Sequence, residues 1–577
     1  MQTFTLKKAF WLLLIISIIT IIPFLGLSNY HTKGEPRESI VSYTMLSTGN
    51  WILPVNNGGE MAYKPPFFHW SVAAVSFLNN GQVTEGTSRA PSAIALIAMT
   101  VVGFLFFGKR KGISIGLLGA FITLTNFELH RAGVNCRVDM VLTALTVISL
   151  FDFYRWYEKG LKGIPWVAII CMSLGTLTKG PVGILVPCLV MGVFLLLRGI
   201  NFFKAFFLLF LTGLSSFILP ALWYYAAYRQ GGQAFLDLML EENVGRMTNT
   251  MSYDSCVNPW YYNIFTVLVG YVPWILLGII SLFTLKYAKI SGKPMAWWKQ
   301  LKTKIAGMDT LDLFALTAIV VIFVFYCLPQ SKRSVYLMPI YPFIAYFFAR
   351  YVFYLTEKHV KAVKLYGSIL AIISLLVFVT FLVVKAGLIP DSVFHGKHAE
   401  ENLAFMRGIQ GINGLWAWIL ILIPTFTGVY WWFYSRCPSR RLLPYALVAL
   451  TMALYLALDG AYQPAVLNTK SDKGTATEIA QLLPPGNGDI YGFVASNVGS
   501  TGDYLRFFSI NFYLGNRVDD FYTKRPEQGY LLVGEKDAAE YLPLFEKEGY
   551  KFTLFYKAKK RGCDVKQVAE IYKFSKI

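Results

Sequence analysis

Residues 33–70 read KGEPRESIVSYTMLSTGNWILPVNNGGEMAYKPPFFHW, and they follow directly on the first apolar run, FWLLLIISIITIIPFLGL at 10–27. That run is long enough to enter a hydrocarbon core of ~30 Å. Just beyond its end come Glu35, Arg37, Glu38 and Lys64. A chain that only needs anchoring has no use for acids and bases placed there. Charges of both signs at a membrane surface point to chemistry on an amphiphile with a charged head. The end of the segment also decides the topology, because PFFHWSVAAVSFLNN at 66–80 is apolar, short and preceded by Pro65, so it can cross or lie flat.

The whole chain supports a membrane setting. Its 577 residues are 55% hydrophobic and 15% charged, with a mean hydropathy of +0.49. Soluble domains carry roughly 25% charged residues. Apolar runs of about 20 residues recur along most of the length, and they do not alternate as barrel strands would. The fold class is therefore a polytopic α-helical membrane protein. Lys7 and Lys8 precede the first run as in a signal peptide, but no small-x-small cleavage site follows, so an uncleaved first span is expected.

Charge sets the orientation. With 66–80 lying flat as an interfacial helix, about thirteen spans place every basic cluster on one side, as the positive-inside rule requires. These clusters are Lys7/Lys8, Lys109–Lys111, Arg155/Lys159/Lys162, Arg198/Lys204, Lys286–Lys304, Arg350–Lys364 and Arg436–Arg441. Counting 66–80 as a crossing puts most of them outside. Single spans are expected at 113–127, 205–227 and 260–285, among others. Six basic residues then fall on the outer face against the rule: Arg131, Arg137, Lys179, Arg246, Lys332 and Arg333. Each alone could pair with lipid phosphate. Six on one face favour an anionic ligand. The formal charge of +20 is shared between spans, so nucleic acid is excluded as a partner.

Two domains are expected, a transmembrane domain over 1–462 with an outer loop at 29–87, and a small extracytoplasmic α/β domain over 463–577. In the latter, TATEIAQLLPP, GDYLRFFSINFYLG and DAAEYLPLFEKEG read as helices, and DIYGFVA, GYLLVGE, YKFTLFYKA and QVAEIYKF as strands. It shows no phosphate loop and no catalytic motif. A binding or lid module and plain structural support are equal readings.

The acids mark where chemistry could sit. An attacking hydroxyl or amine needs a base, and a departing phosphate needs positive charge. Glu35 lies within reach of the interface, with Arg37 and Glu38 beside it; the plain alternative is a solvated charged turn. Lys64 is fixed by Pro65–Pro66. Tyr63, Phe67, Phe68, His69 and Trp70 suit an interfacial aromatic belt or a wall for a polyprenyl chain. Asp139 at the mouth of a span needs a partner, and Arg137 or Lys179 can supply it. Lys179 sits in LTKGPVGILVP, where Gly and Pro break the helix and free backbone donors for a phosphate. Lys332 and Arg333 form a second basic pair near Tyr336, and Glu242 precedes Arg246. Six histidines without HExxH-like spacing do not support a metal, and seven scattered cysteines give no metal or disulfide framework.

GEPRESIVSYTMLSTGNWILP, YKPPFFHW, RVDMVLTA, GTLTKGPVGILVP, EENVGRM with NPWYYNIFTVLVGYVPW, and SKRSVYLMPIYP, in this order over about 30–340, resemble the GT-C glycosyltransferases of the protein O-mannosyltransferase and aminoarabinose (lipid A) transferase family. The resemblance implies transfer of a sugar from a polyprenyl-phosphate carrier to a glycolipid or other extracytoplasmic acceptor. It implies a multi-pass protein of the bacterial inner membrane with its active face and C-terminal domain in the periplasm. Carried over by position, the region of Glu35 holds the base, Lys64 and Lys332 hold the donor phosphate, and Asp139 and Lys179 line the cavity. On the charges themselves, Glu35 is the expected base, with Glu38 and Asp139 as further candidate catalytic acids. Lys64, Lys179, Lys332 and Arg333 neutralise the departing phosphate. Arg37, Tyr63, Arg137, Glu242, Arg246 and Tyr336 shape the substrate site. The family usually has Asp-Glu where this chain has Gly34–Glu35, an acid where it has Tyr63, and a His where it has the region of Asp254. No cofactor is expected; a divalent metal is conceivable but lacks those ligands.

Two other readings stand beside this one. A flippase or transporter would carry ionisable groups near the bilayer midplane on broken helices with repeat symmetry. Here charges gather at one face and no repeat shows. A catalytically silent relative that only binds the carrier is kept open by the missing Asp.

Overall fold

A computed structural model of the chain describes residues 5–56, 59, 61, 62, 64–245, 257–285, 303–305, 307–437, 440–483, 490–495 and 507–577. They form two compact units. The first comprises Met1–Pro23, Ser92–Val379 and Ile419–Ala457. The second comprises Phe24–Pro91, Thr380–Trp418 and Leu458–Ile577.

The first unit is helical and exposes many large apolar side chains. Eight helices of the chain are long and apolar enough to cross a membrane, or ten if each of two bent pairs is one span, among the described residues. Val138–Glu158 and the shorter apolar helices Trp166–Lys179 and Val182–Leu197 complete the bundle. Phe202–Leu240 exposes Phe203, Phe206, Phe207 and Phe210 along one side. Rows of bare rings like this mark contact with lipid rather than water. Side-chain caps start several helices: Asn126 Oδ1 accepts from Leu129 N–H at 3.0 Å, and Asp309 Oδ2 from Leu311 N–H at 3.1 Å.

Two expected straight spans are broken. Ile113–Leu124 and Phe127–Gly133 bend by 65°, and Tyr262–Gly270 and Trp274–Leu282 by 104°. The first break falls where Asn126 caps a new helix, and the second at Pro273, which has no N–H to give. A break at membrane depth strands backbone groups unless protein satisfies them. These two satisfy each other: Phe127 N–H donates to the Val272 carbonyl at 3.0 Å, and the buried Trp274 indole donates to Thr125 Oγ1 at 2.9 Å. The helix that starts at Phe202 also continues past the expected end of its span, to a break at Gly232 (φ +58°), after which a second helix runs to Leu240.

In the second unit, the stretch 29–87 read as an outer loop carries the expected short helix after Pro65–Pro66, at Phe67–Phe77, and an unexpected one at Gly34–Thr48. Gly34–Thr48 is helical with Glu35, Glu38, Ser39, Ile40, Val41, Ser42, Thr44 and Met45 buried. It packs against the helix Phe67–Phe77 and against Phe508–Tyr513. Its buried residues run all round it, so no apolar stripe announces it in the sequence.

The C-terminal part of this unit is a five-stranded sheet, β1 Ile490–Phe493, β2 Asp519–Asp520, β3 Gln528–Gly534, β4 Tyr550–Arg561 and β5 Val568–Lys576, in the order β2-β1-β3-β5-β4. β1 runs parallel to β2 and β3, and β5 antiparallel to β3 and β4. The period of two on β3 splits the core. Leu532 packs with Ile479, Ile510 and Ile571 on one face, and Leu531 and Val533 with Phe493, Phe545 and Phe574 on the other. The expected helices are present at Lys473–Leu482 and Glu535–Lys547; the third is described only over Phe508–Tyr513.

Candidate active site

Glu35 and Glu38 sit three residues apart, so one turn of the helix Gly34–Thr48 carries both. Their surroundings differ. Glu35 meets Arg89, near the start of the helix Glu85–Lys111, in a bidentate pair: Nε to Oε1 at 2.8 Å and Nη2 to Oε2 at 2.9 Å. The Nη1 of Arg89 donates to the carbonyls of Leu25 and Ser28 at 2.8 and 2.6 Å. Both side chains are buried, at 2% and 3% exposure. This fork therefore ties the chain leaving the first apolar run to the helix that carries the acids.

Glu38 is the hub of a second, more open group. Lys64 Nζ contacts its Oε1, Arg37 Nη2 donates to the same oxygen at 3.0 Å, and His69 Nε2 lies 3.0 Å from Oε2. Lys64 and Arg37 keep 18% and 26% of their side-chain surface. His69 reaches Glu38 because the helix Phe67–Phe77 lies along it, and Ser42 Oγ donates to the His69 carbonyl at 3.3 Å. Burial pushes the Glu38 carboxyl up, but Lys64 first, then Arg37 and His69, outweigh it and hold it well below the usual carboxylate range. Glu38 is thus an anion, a weak base and a strong hydrogen-bond acceptor.

The first unit carries its own charged group. Asp139, in the first turn of Val138–Glu158, is paired by Lys179 rather than Arg137, and Lys179 Nζ also lies 4.3 Å over the Tyr336 ring. Arg137 is the half-buried N-cap residue of the same helix. Lys332 is buried, its Nζ donating to the Asn258 carbonyl at 3.2 Å while Asn258 Nδ2 donates back to the Lys332 carbonyl at 3.0 Å. Arg333 is half-buried, and its Nε has no hydrogen-bond partner among the described residues. Arg131 pairs with buried Glu128 at 2.7 Å and reaches Ser334 Oγ at 3.4 Å. Glu242 is half-buried on the π-turn Glu241–Gly245. Tyr63, Arg246 and Asp254 lie outside the described residues.

Lys179 owes its position to a tight hairpin. Gly180 ends its helix with φ +81°, and Gly183 starts the next with its Cα against the previous turn. A Cβ on Gly183 would stand 2.3 Å from Thr176 N and 2.4 Å from Gly175 C, all backbone. Gly183→Ala is therefore expected to destabilise the protein by about 1–3 kcal/mol, as overpacking does. Thermal unfolding in detergent measures this; an unchanged midpoint would refute the close approach.

Two participants were not singled out in the sequence. Arg89 lay in GTSRAPS at the edge of a span, and His69 was read as part of an aromatic belt. Nothing local marks either, since their partners lie 54 and 31 residues away.

No family model matches the chain. It is 27% identical over 365 residues to an uncharacterized protein of Aquifex aeolicus, covering 62% of this chain and 67% of that one. It is 22% identical over 417 residues to the undecaprenyl phosphate-alpha-4-amino-4-deoxy-L-arabinose arabinosyl transferase of Edwardsiella ictaluri, covering 70% of each. Its fold is that of ArnT from Cupriavidus metallidurans, crystallised bound to undecaprenyl phosphate. The TM-score is 0.69 at 17% identity, over 98% of this chain and 97% of that one.

Proposed function

We propose that this chain, a membrane glycosyltransferase of the GT-C type, moves a monosaccharide from a polyprenyl-phosphate carrier to a lipid A-like or other extracytoplasmic acceptor at the periplasmic face of a bacterial inner membrane. The observation that carries this is the sequence similarity to arabinosyl transferases named for an undecaprenyl-phosphate donor, joined to a fold shared with ArnT over nearly the whole chain. The C-terminal domain is taken to be periplasmic with the outer loop 29–87.

The charged groups support roles for particular residues. A departing polyprenyl phosphate gains negative charge at the bridging oxygen as the sugar leaves, and fixed cations stabilise that charge. On the sequence reading, Lys64, Lys179, Lys332 and Arg333 are assigned phosphate oxygens; within the first unit, Arg333 Nε has no hydrogen-bond partner among the described residues and is a donor that suits one. Glu35, the sequence-based choice for base, has both oxygens engaged by Arg89, so we assign it positioning. Glu38 is assigned the acceptor side: it orients the incoming nucleophile as a hydrogen-bond acceptor, with Arg37 and His69 steadying it. A base this weak suits a nucleophile that is already ionised, such as a phosphate on a glycolipid. Asp139 holds Lys179, while Arg137, Glu242, Tyr336, Tyr63 and Arg246 are assigned to shaping the site. No step requires a cofactor.

The test supplies purified protein with sugar-charged polyprenyl phosphate and membrane lipid extract, and follows free polyprenyl phosphate and labelled lipid together. Release matched by sugar on lipid is expected. Carrier binding without release from any donor would leave a binding protein and end the transferase reading.

A further inference from the structure

The C-terminal domain brings together one cluster that the transferase reading does not use. Asp472 is the N-cap residue of Lys473–Leu482, Ser509 belongs to Phe508–Tyr513, and Cys563 and Asp564 lie in the turn joining β4 to β5. One ligand atom from each of Asp472, Cys563 and Asp564 lies within 4.8 Å of the others. Asp472 and Cys563 are buried. Ser509 is completely buried, and its hydroxyl lies beside the Cys563 thiol but makes no well-aligned hydrogen bond among the described residues. A buried hydroxyl left with only a thiol beside it is what a missing central ion would leave.

We propose that Asp472, Cys563 and Asp564 hold a divalent transition-metal ion of the zinc class, with the Ser509 hydroxyl as a further oxygen donor. The donor set selects the ion. A thiolate suits zinc and its neighbours, whereas calcium and magnesium take oxygen only. The carboxylates are already aimed. Cys563 N–H donates to both oxygens of Asp472 at 3.0 Å, Ser509 N–H to Asp564 Oδ2 at 3.1 Å and Val565 N–H to Asp564 Oδ1 at 2.8 Å. Each oxygen keeps a second lone pair for a metal, the arrangement of a ligand oriented from behind. Charge also balances. Two carboxylates and a thiolate exceed a divalent ion by one negative charge, and Lys560 and Lys566 act on Asp472 from nearby. Lys560 does not fill the site itself, since its Nζ donates to the carbonyls of Thr469 and Ser471 at 2.6 and 2.5 Å. Binding would displace the thiol proton to solvent.

The experiment uses the full chain in detergent, stripped with chelator and reloaded with zinc or with cobalt(II) alone. We expect about one zinc per chain, a higher unfolding midpoint on loading, and the near-ultraviolet charge-transfer band of a cobalt–thiolate bond. Cys563→Ser should lose that band, and Cys437→Ser, at an exposed cysteine, should keep it. Asp564→Asn should lower zinc affinity by at least roughly tenfold. Wild-type protein that shows no thiolate band and no rise in midpoint overturns the proposal even if the variants fail to fold. A band that survives Cys563→Ser overturns it as well.

Discussion

Replacing Arg89 by Ala is expected to destabilise the protein by about 3–5 kcal/mol, the cost of stranding one member of a buried ion pair. Glu35 would be left charged and nearly inaccessible to water, and the carbonyls of Leu25 and Ser28 would lose their donor. Arg89→Lys should recover little, because an ammonium cannot reproduce a fork that meets two carboxylate oxygens and two carbonyls at once. Glu35→Gln should approach the same loss from the other side. The double variant Glu35→Leu/Arg89→Met should cost well under the sum of the single changes, since neither charge is then buried alone. Unfolding midpoints in detergent read all four. If Glu35 were instead the base that receives the acceptor's proton, Glu35→Gln would keep its midpoint and lose turnover. A stability change within about 0.5 kcal/mol for Arg89→Ala, the range of an ordinary surface substitution, would remove the positioning role.

What was legible in the sequence follows from how strongly each feature depends on local pattern. Apolar runs announce spans because lipid contact demands apolar residues on every side, as at Phe203–Phe210. The closing strands β4 and β5 were legible for a similar reason, a dense run of β-favouring residues on each side of a polar turn. The bends at Thr125–Asn126 and Val272–Pro273 were not. They are tolerated only because each satisfies the other, and a contact across about 147 residues leaves no local trace. Gly34–Thr48 escaped because its polar residues are buried against partners rather than turned to one side. In the charged groups, Asp139 demanded a partner and two were in reach; only packing decides for Lys179. Glu35 and Glu38 look alike in sequence. Arg89 on one and Lys64, Arg37 and His69 on the other make them different.

Lys64→Ala is expected to lower kcat for sugar transfer by roughly 10²–10³, the loss that follows when one preorganised charge-stabilising donor is removed. Its folding should suffer far less than that of Arg89→Ala, because Lys64 remains partly exposed while Arg37 and His69 still contact Glu38. The pH profile separates a role at the reacting atoms from a general loss of fit. Lys64 is the largest of the influences that lower the Glu38 carboxyl against the opposing effect of burial. In the wild type, Glu38 therefore stays ionised to a pH well below the ordinary glutamate value of about 4.3. The stability it contributes is complete above that ordinary value and is lost as the pH falls through the depressed folded one. Without Lys64 the folded value rises, so the acid limb of activity should move to higher pH. Glu38→Gln should abolish that limb altogether while leaving residual activity flat toward acid. A Lys64→Ala enzyme with an unmoved acid limb would mean that Glu38 does not report on the reaction, and the acceptor role would have to pass to another acid.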